Sequence, residues 1–286
     1  MSENFIRKYK LTIEASNGKA VIIQGQHIEF DVTLSADSKL NELDLKIYNL
    51  SRETIGIFDE LDAVVKLEVG WGDNPLGLIF KGNKIHSSTK PDGVDLITEV
   101  LASEGAVTVR EARTQVVLPE NSTVEAVIRK IVADSMPDIK VLNLNGDGLK
   151  NTYALGKTVS GNSKNALDKV CSTNNLRWHI SQNETLNVLP LNGDIKRKAI
   201  LVTPVMIKNT PEKTSEEVEK LKDDLNVAKK LGLNLTLQLN PAFLAGGLIK
   251  LEGTRFADGT YLIEKVKHSG SFEGNNWDTS LECKNY

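Results

Sequence analysis

Ile28-Glu29-Phe30-Asp31-Val32-Thr33-Leu34 alternates apolar and polar residues without a break, and Leu43-Asp44-Leu45-Lys46-Ile47-Tyr48-Asn49 repeats the pattern a short turn later. A period of two puts every apolar side chain on one face of an extended chain, the signature of a strand with one buried face. Outward from this pair, Lys10-Leu11-Thr12-Ile13-Glu14 precedes it, and Val65-Lys66-Leu67-Glu68-Val69-Gly70-Trp71, residues 78–81 and residues 95–101 follow. Gly72-Asp73-Asn74-Pro75 and Lys90-Pro91-Asp92-Gly93 are tight-turn sequences, in which Pro pre-sets one corner and Gly or Asn tolerates positive φ. Residues 1–105 are therefore expected to form a small antiparallel β-barrel or sandwich.

The character of the chain changes at about Ala106. Ser122-Thr123-Val124-Glu125 has the form of a capping box, with the first hydroxyl accepting from the backbone and the Glu carboxylate reaching back. A helix is predicted from there, with Val124, Val127, Ile128, Ile131 and Val132 on one face and Met136-Pro137 as its stop. A second helix is expected from Ser163, with Ala166, Leu167, Val170 and Cys171 inward, ending at Thr173-Asn174-Asn175. Leu176-Arg177-Trp178-His179-Ile180 and Thr185-Leu186-Asn187-Val188-Leu189-Pro190 read as a hairpin, so residues 106–190 form a mixed α+β segment.

Residues 191–286 return to strands: Leu235-Thr236-Leu237-Gln238-Leu239, Leu248-Ile249-Lys250-Leu251, residues 261–268 and residues 277–283. The stretch 214–231 stands apart. Glu216, Glu217, Glu219, Lys220, Lys222, Asp223, Asp224, Lys229 and Lys230 surround only Val218, Leu221, Leu225 and Ala228. Acids precede bases and Gly232 follows, which suits the helix dipole and a glycine C-cap, so a charged helix is expected over 214–231. Its narrow apolar stripe fits either its own domain or another subunit. The expected fold is thus mainly β, with two antiparallel β-barrels, 1–105 and 191–286, around a small helix-containing middle segment, 106–190. The second barrel is open to being discontinuous.

Composition narrows the function. The chain has 286 residues, 40% hydrophobic and 26% charged, and its 35 Lys and Arg against 38 Asp and Glu give a net charge of −3. At about 150 residues per domain that length allows two domains or one elaborate β-rich one. It lacks the basic excess that binding many phosphates requires, so nucleic acid is not expected as the main partner. No apolar run reaches the length of a membrane span, and Met1-Ser2-Glu3-Asn4-Phe5-Ile6-Arg7-Lys8 turns polar before a signal-like core develops, so synthesis in the cytosol and no direct membrane insertion are expected. Cys171 and Cys283 are read as free thiols rather than a disulfide or zinc pair.

A search for catalytic or metal chemistry returns none. His27, His86, His179 and His268 are scattered without metal-ligand spacing. Asn143-Leu144-Asn145-Gly146-Asp147-Gly148 imitates the front of a calcium loop, but Ala154 stands where a bidentate Glu is needed, and the run reads as a polar turn. Gly146 and Gly148 lack the third glycine of a dinucleotide fingerprint, and neither a nucleophile elbow nor a phosphate loop occurs. The carboxylates fall at polar strand positions or in the charged stretch, so none is singled out as a catalytic pair. Trp71, Trp178 and Trp277 would suit a sugar-stacking platform by type, yet each lies within an alternating strand and is read as core. No catalytic, cofactor-binding or metal-binding residue is nominated, and the chain is not expected to be an enzyme.

Several phrases, in order along nearly the whole chain, carry a resemblance. They are the strand ending in Phe30, then Ile47-Tyr48-Asn49-Leu50-Ser51-Arg52-Glu53-Thr54, Val69-Gly70-Trp71-Gly72 and Leu78-Ile79-Phe80-Lys81-Gly82. In the middle come residues 163–175 with Arg177-Trp178 and the hairpin ending at Pro190. Leu239-Asn240-Pro241, Gly246-Gly247, Gly259-Thr260-Tyr261, Val266-Lys267-His268-Ser269-Gly270 and Gly274 through Trp277-Asp278-Thr279 close the series. In these the chain resembles the central hub proteins of phage contractile-tail baseplates, the gp27-like and late-control protein D-like group. The charged stretch after Lys208-Asn209-Thr210-Pro211-Glu212 departs from that pattern, which passes directly to a strand.

The resemblance implies two tail-tube-like β-barrels per chain and a homotrimer that adapts the sixfold tail tube to the threefold spike, with a central channel for DNA. The implied partners are other copies of the chain, the tube or tube-initiator protein, the central spike and further baseplate proteins, with DNA only passing through. The implied location is the virion tail baseplate, assembled in the host cytoplasm. His268 is read as a hydrogen-bonded turn residue in this frame. Two other readings stand beside it: a receptor- or carbohydrate-binding β module, and a peptidoglycan-cleaving tail enzyme.

Overall fold

In the computed structural model the chain is mostly β, with three α-helices among the described residues. The structure describes residues 6–37, 40–60, 63–105, 111–181, 184–191, 198–218 and 228–286. The first β set comprises β1 (Arg7–Glu14), β2 (Ala20–Ile23), β3 (Ile28–Ser35), β4 (Glu42–Tyr48), β5 (Val64–Trp71), β6 (Gly77–Asp92) and β7 (Asp95–Ser103), with α1 (Arg52–Asp59) between β4 and β5. The middle holds β8 (Arg113–Leu118), β9 (Ser122–Thr123), α2 (Val124–Ser135), β10 (Lys140–Leu144), β11 (Thr152–Tyr153), β12 (Lys157–Asn162), α3 (Ser163–Thr173), β13 (Leu176–Ser181) and β14 (Thr185–Pro190). The last set is β15 (Ala199–Val202), β16 (Glu212–Val218), β17 (Ala228–Gln238), β18 (Leu248–Leu251), β19 (Gly259–Ser271) and β20 (Trp277–Asn285).

The alternation that predicted β3 is its burial pattern: Ile28, Phe30, Val32 and Leu34 are buried and the residues between them are not. Opposite them on β4 stand Leu43, Leu45 and Ile47, equally buried. Each such side chain contributes about 1.5–3 kcal/mol when removed from water. The two sets are not separate sheets, however. One sheet runs in the order β16-β17-β20-β19-β3-β4-β7-β6-β5-β1-β2, with β18 on β19 and β15 parallel to β18. The first and last sets are fused by β3 and β19, paired antiparallel from Ser35↔Lys265 to Glu29↔Ser271. Side chains from both sets form one core, in which Leu11, Phe30 and Leu67 lie with Leu233, Trp277 and Leu281. The path is open: among the described residues β2 pairs only with β1, and β16 only with β17.

The expected helix over 214–231 is corrected where that stretch is described. Residues 212–218 and 228–238 are the antiparallel strands β16 and β17, with Glu216 in register with Lys230 and Glu217 with Lys229; residues 219–227 lie outside the described residues. Acids preceding bases suit a hairpin of opposite charges as well as a helix, and the period of two running from Leu231 to Leu239 carries the strand backward. Gly232 is no helix cap. It sits within β17, where a Cβ would come within 2.5 Å of the Thr214 hydroxyl and 2.9 Å of the Cys283 carbonyl.

The helices are set by their caps. Thr123, not Ser122, caps α2, its hydroxyl accepting from the Ala126 amide at 3.1 Å, while the Ser122 hydroxyl donates to the Pro119 carbonyl. Glu125 does not reach back but pairs with Arg129 one turn on at 2.8 Å, so no capping box closes. The buried face of α2 is the predicted one. It packs with α3, whose Leu167, Val170 and Cys171 face a second core with Trp178 and Val188. The helix α1 escaped the sequence reading. Ser51 caps it through the Thr54 amide, and it buries Phe58 against the first set.

Candidate functional site

The singled-out side chains do not converge. His27 is half-buried against the Tyr48 ring at 4.4 Å, His86 is exposed on β6, His179 is buried on β13 and His268 is buried on β19. Among the described residues no three His, Cys, Asp or Glu side chains are grouped as a metal site needs, and no helix is long and apolar enough to cross a membrane. His268 is corrected from a turn to a strand interior: it is fully buried, its Nδ1 lies 2.9 Å from the Thr279 hydroxyl, and burial holds its pKa down to about 4 although a backbone hydrogen bond with Phe243 opposes the shift. Cys171 and Cys283 are free and buried, each thiol pushed up to about 12 by burial. The Asn143–Gly148 run is not all turn: Asn143 and Leu144 end β10, where Asn143 donates to Asn187 at 2.7 Å, and after Asn145-Gly146 a 3-10 turn begins in which Asp147 faces Lys150.

What the chain does bring together are the joints between its parts. At the first, Trp277 of β20 meets the Phe30 ring edge-on at 5.2 Å and the Trp71 ring at 6.4 Å. Trp71 Nε1 donates to the Leu239 carbonyl at 2.8 Å, and the Arg7 guanidinium stands 5.7 Å over the Trp277 ring while donating to the carbonyls of Ser271 and Gly274. Gly270 makes the contact possible, because a Cβ there would come within 2.5 Å of the Phe30 ring and 2.7 Å of the Trp277 ring. All three tryptophans are thus structural: Trp178 and Trp277 are fully buried and Trp71 is half-buried.

At the second joint the middle segment meets the first β set. Asn41 accepts from the Ser35 amide at 2.9 Å and donates both to the Glu104 carboxyl and, at 3.2 Å, to the Ile180 carbonyl on β13. Lys81 of β6 pairs with Glu184 of the β13–β14 turn at 2.7 Å. Arg177 Nη1 lies 3.5 Å from Asp37 and 3.8 Å from Glu264 of β19, so one guanidinium touches all three parts. Sequence reasoning missed Asn41 and Glu104, which belong to no local motif, and placed Lys81 only in the strand phrase Leu78-Ile79-Phe80-Lys81-Gly82 without its role at this joint.

The exposed features are strand edges and one projecting ribbon. Among the described residues β2 and β16 leave one edge each unpaired, and β6 with β7 runs out to Pro91-Asp92-Gly93-Val94 beyond the end of its pairing with β5. Joints between the parts, with open strand edges beside them, suit assembly.

No protein-family model matches the chain, and no curated protein matches it by sequence. Solved structures do match. The 43 kDa tail protein of prophage MuSo2 from Shewanella oneidensis superposes with a TM-score of 0.65 over 96% of each chain at 10% identity. The chain has a phage-tail protein fold. The tail protein of Neisseria meningitidis MC58 gives a TM-score of 0.64 at 10% identity, over 97% of this chain and 96% of that one. The Escherichia coli c3393 protein, a type VI secretion component described as similar to the phage T4 tail proteins gp27 and gp5, gives 0.61 at 12% identity over 91% and 74%. The resemblance read from the sequence is borne out as a likeness of fold. The match runs through both β sets and the middle segment.

Proposed function

We propose that the chain is a structural hub of a phage or phage-derived tail baseplate, working by assembly and not by catalysis. The observation that carries this reading is the fused sheet: two β sets, one from each end of the chain, share one core, and the sheet ends in two unpaired edges, β2 and β16. Unpaired edges invite pairing with another copy, and a heterologous contact between different patches closes into a ring when its rotation allows. In this reading the chain divides at 1–105, 106–190 and 191–286, each β set acts as one tube-like barrel unit, and three copies form a ring of six such units around a DNA passage. Its neighbours are then the tail tube or its initiator, the spike and other baseplate proteins, in the virion tail assembled in the host cytoplasm.

The test is light-scattering mass on the purified chain, alone and with tube and spike partners, followed by negative-stain images of the same peak. A mass three times the 31.4 kDa of one chain, with open-centred rings, supports the hub. A chain that stays monomeric with both partners present overturns it.

A further inference from the structure

Glu104 directly follows β7, in the turn where the chain leaves the first β set, and it is buried. One carboxyl oxygen accepts from Asn41 Nδ2; the other, Oε1, is buried with no hydrogen-bond partner among the described residues. Asn41 is fully engaged, because its Oδ1 accepts from the Ser35 amide, its Nδ2 also reaches the Ile180 carbonyl, and its backbone carbonyl accepts from both the Glu104 amide at 2.9 Å and the Ser103 hydroxyl at 3.0 Å. The two residues thus tie the β3–β4 turn, the end of β7 and β13 together. We propose that Asn41 and Glu104 form a proton-dependent latch between the first β set and the middle segment: the neutral carboxyl is held inside the joint, and its ionisation, which the joint does not compensate, favours an opened joint that admits water.

The surroundings define the missing compensation. On β6 the cations are Lys81, held by Glu184 at 2.7 Å, Lys84, whose Nζ donates to the Phe58 carbonyl, and Lys90, paired with Glu99 of β7 at 3.0 Å on the outer half of the strand. Glu42 begins β4, Glu184 stands on the β13–β14 turn, and Asp138 and Lys140 lie on the segment leading into β10. Burial is the largest cause, and with the neighbouring Glu184 charge, which disfavours a second negative charge, it outweighs the Asn41 hydrogen bond and the Lys81 ammonium, so that Glu104 is pushed up to about 8. Beside the joint a cleft of about 580 Å³ is lined by Lys81, Gly82, Gly105, Ile139, Lys140 and Glu184, which gives water a route when the joint opens.

The sign follows from proton linkage. Closed, the latch keeps its proton up to about pH 8; open, the carboxyl has its ordinary acidity, so the open fraction rises about tenfold per pH unit between about pH 5 and about pH 8 and then levels off. The experiment is hydrogen exchange on the full chain across pH 5–9, corrected for intrinsic rates, read at the Ser35 and Glu104 amides that Asn41 holds, with the Leu11 amide of the sheet interior as reference. The expected result is that slope at the two reporter amides, absent at Leu11 and absent in Glu104→Gln. An equal slope in Glu104→Gln, or one shared with Leu11, overturns the latch. Should Glu104→Gln not fold, the carbon-13 titration of the Glu104 carboxyl in the unaltered chain decides: a midpoint near 8 that tracks the reporters supports it, and one in the ordinary carboxyl range overturns it.

Discussion

The indole nitrogen of Trp71 donates to the main-chain carbonyl of Leu239 at 2.8 Å, a bond that spans 168 positions of sequence and pins the end of β5 to the end of β17. The two β sets already share the β3–β19 ladder and one core, so this bond fixes how the far side of the joint closes, beside the Trp71–Trp277 edge contact. Trp71→Phe keeps an aromatic ring there and removes the donor, leaving a carbonyl without its partner. We expect a loss of about 1–3 kcal/mol in denaturant unfolding with the transition still single and cooperative. An unfolding midpoint unchanged from the parent chain would show that the bond fixes nothing.

Gly270 lies at the other face of the same joint, and its lack of a side chain is what lets Phe30 and Trp277 meet. A methyl group there faces two ring edges held by the core rather than the free end of a flexible chain. Gly270→Ala is therefore expected to cost about 1–3 kcal/mol through overpacking and to reduce the near-ultraviolet circular dichroism of the tryptophans. A variant as stable as the parent with an unaltered aromatic signal would contradict the packing described.

Two buried groups make stability depend on pH in opposite directions. His268 is held neutral to about pH 4, whereas in the unfolded chain it binds a proton near 6.5, so acidification from 6.5 to 4 removes stability, up to about 3 kcal/mol. Glu104 keeps its proton to about pH 8 in the folded chain and loses it near 4.5 when unfolded, so its contribution falls as pH rises through that window. Between pH 7 and pH 5 the two trends offset each other in the parent chain. Chemical denaturation is expected to show stability falling on acidification in Glu104→Gln, which leaves His268 uncovered, and rising in His268→Gln. Parallel curves for the parent and both variants would exclude this pairing.

The reach of the sequence reading is set by how local each signal is. β3, β4 and β20 were legible because alternation along one strand is also its burial pattern, and α2 and α3 because their apolar faces repeat every three or four residues. The outer half of β6 was not, since His86-Ser87-Ser88-Thr89-Lys90 has polar residues on both faces and is held by its ladder with β7 and by the Ser87 hydroxyl, which donates to the Phe58 carbonyl of α1. Gly232 misled: glycine after a charged run reads as a helix stop, and only the approach of Thr214 and the Cys283 carbonyl reveals why the backbone needs it. The joints were illegible for a deeper reason. Asn41 and Ile180 are 139 positions apart, and Arg177 and Asp37 are 140 apart, so nothing nearby in sequence marks them.

The open edge at β2 offers the sharpest test of assembly. Its four residues, Ala20-Val21-Ile22-Ile23, carry no charge and no proline, the two devices that usually blunt an unpaired strand, and Ile22 is 57% exposed. An apolar, uncharged edge left open in a single chain is suited to cover by a neighbour. Ile22→Lys places a charge on that edge at a site whose side chain is largely in water, so the fold of the single chain is expected to change by no more than about 0.5 kcal/mol. If the edge is a subunit contact, the substitution shifts the light-scattering mass of the assembled species toward that of one chain while circular dichroism and the unfolding midpoint stay as in the parent. If the assembled mass is unchanged, β2 lies outside the contact and the open edge at β16 becomes the place where copies would have to meet.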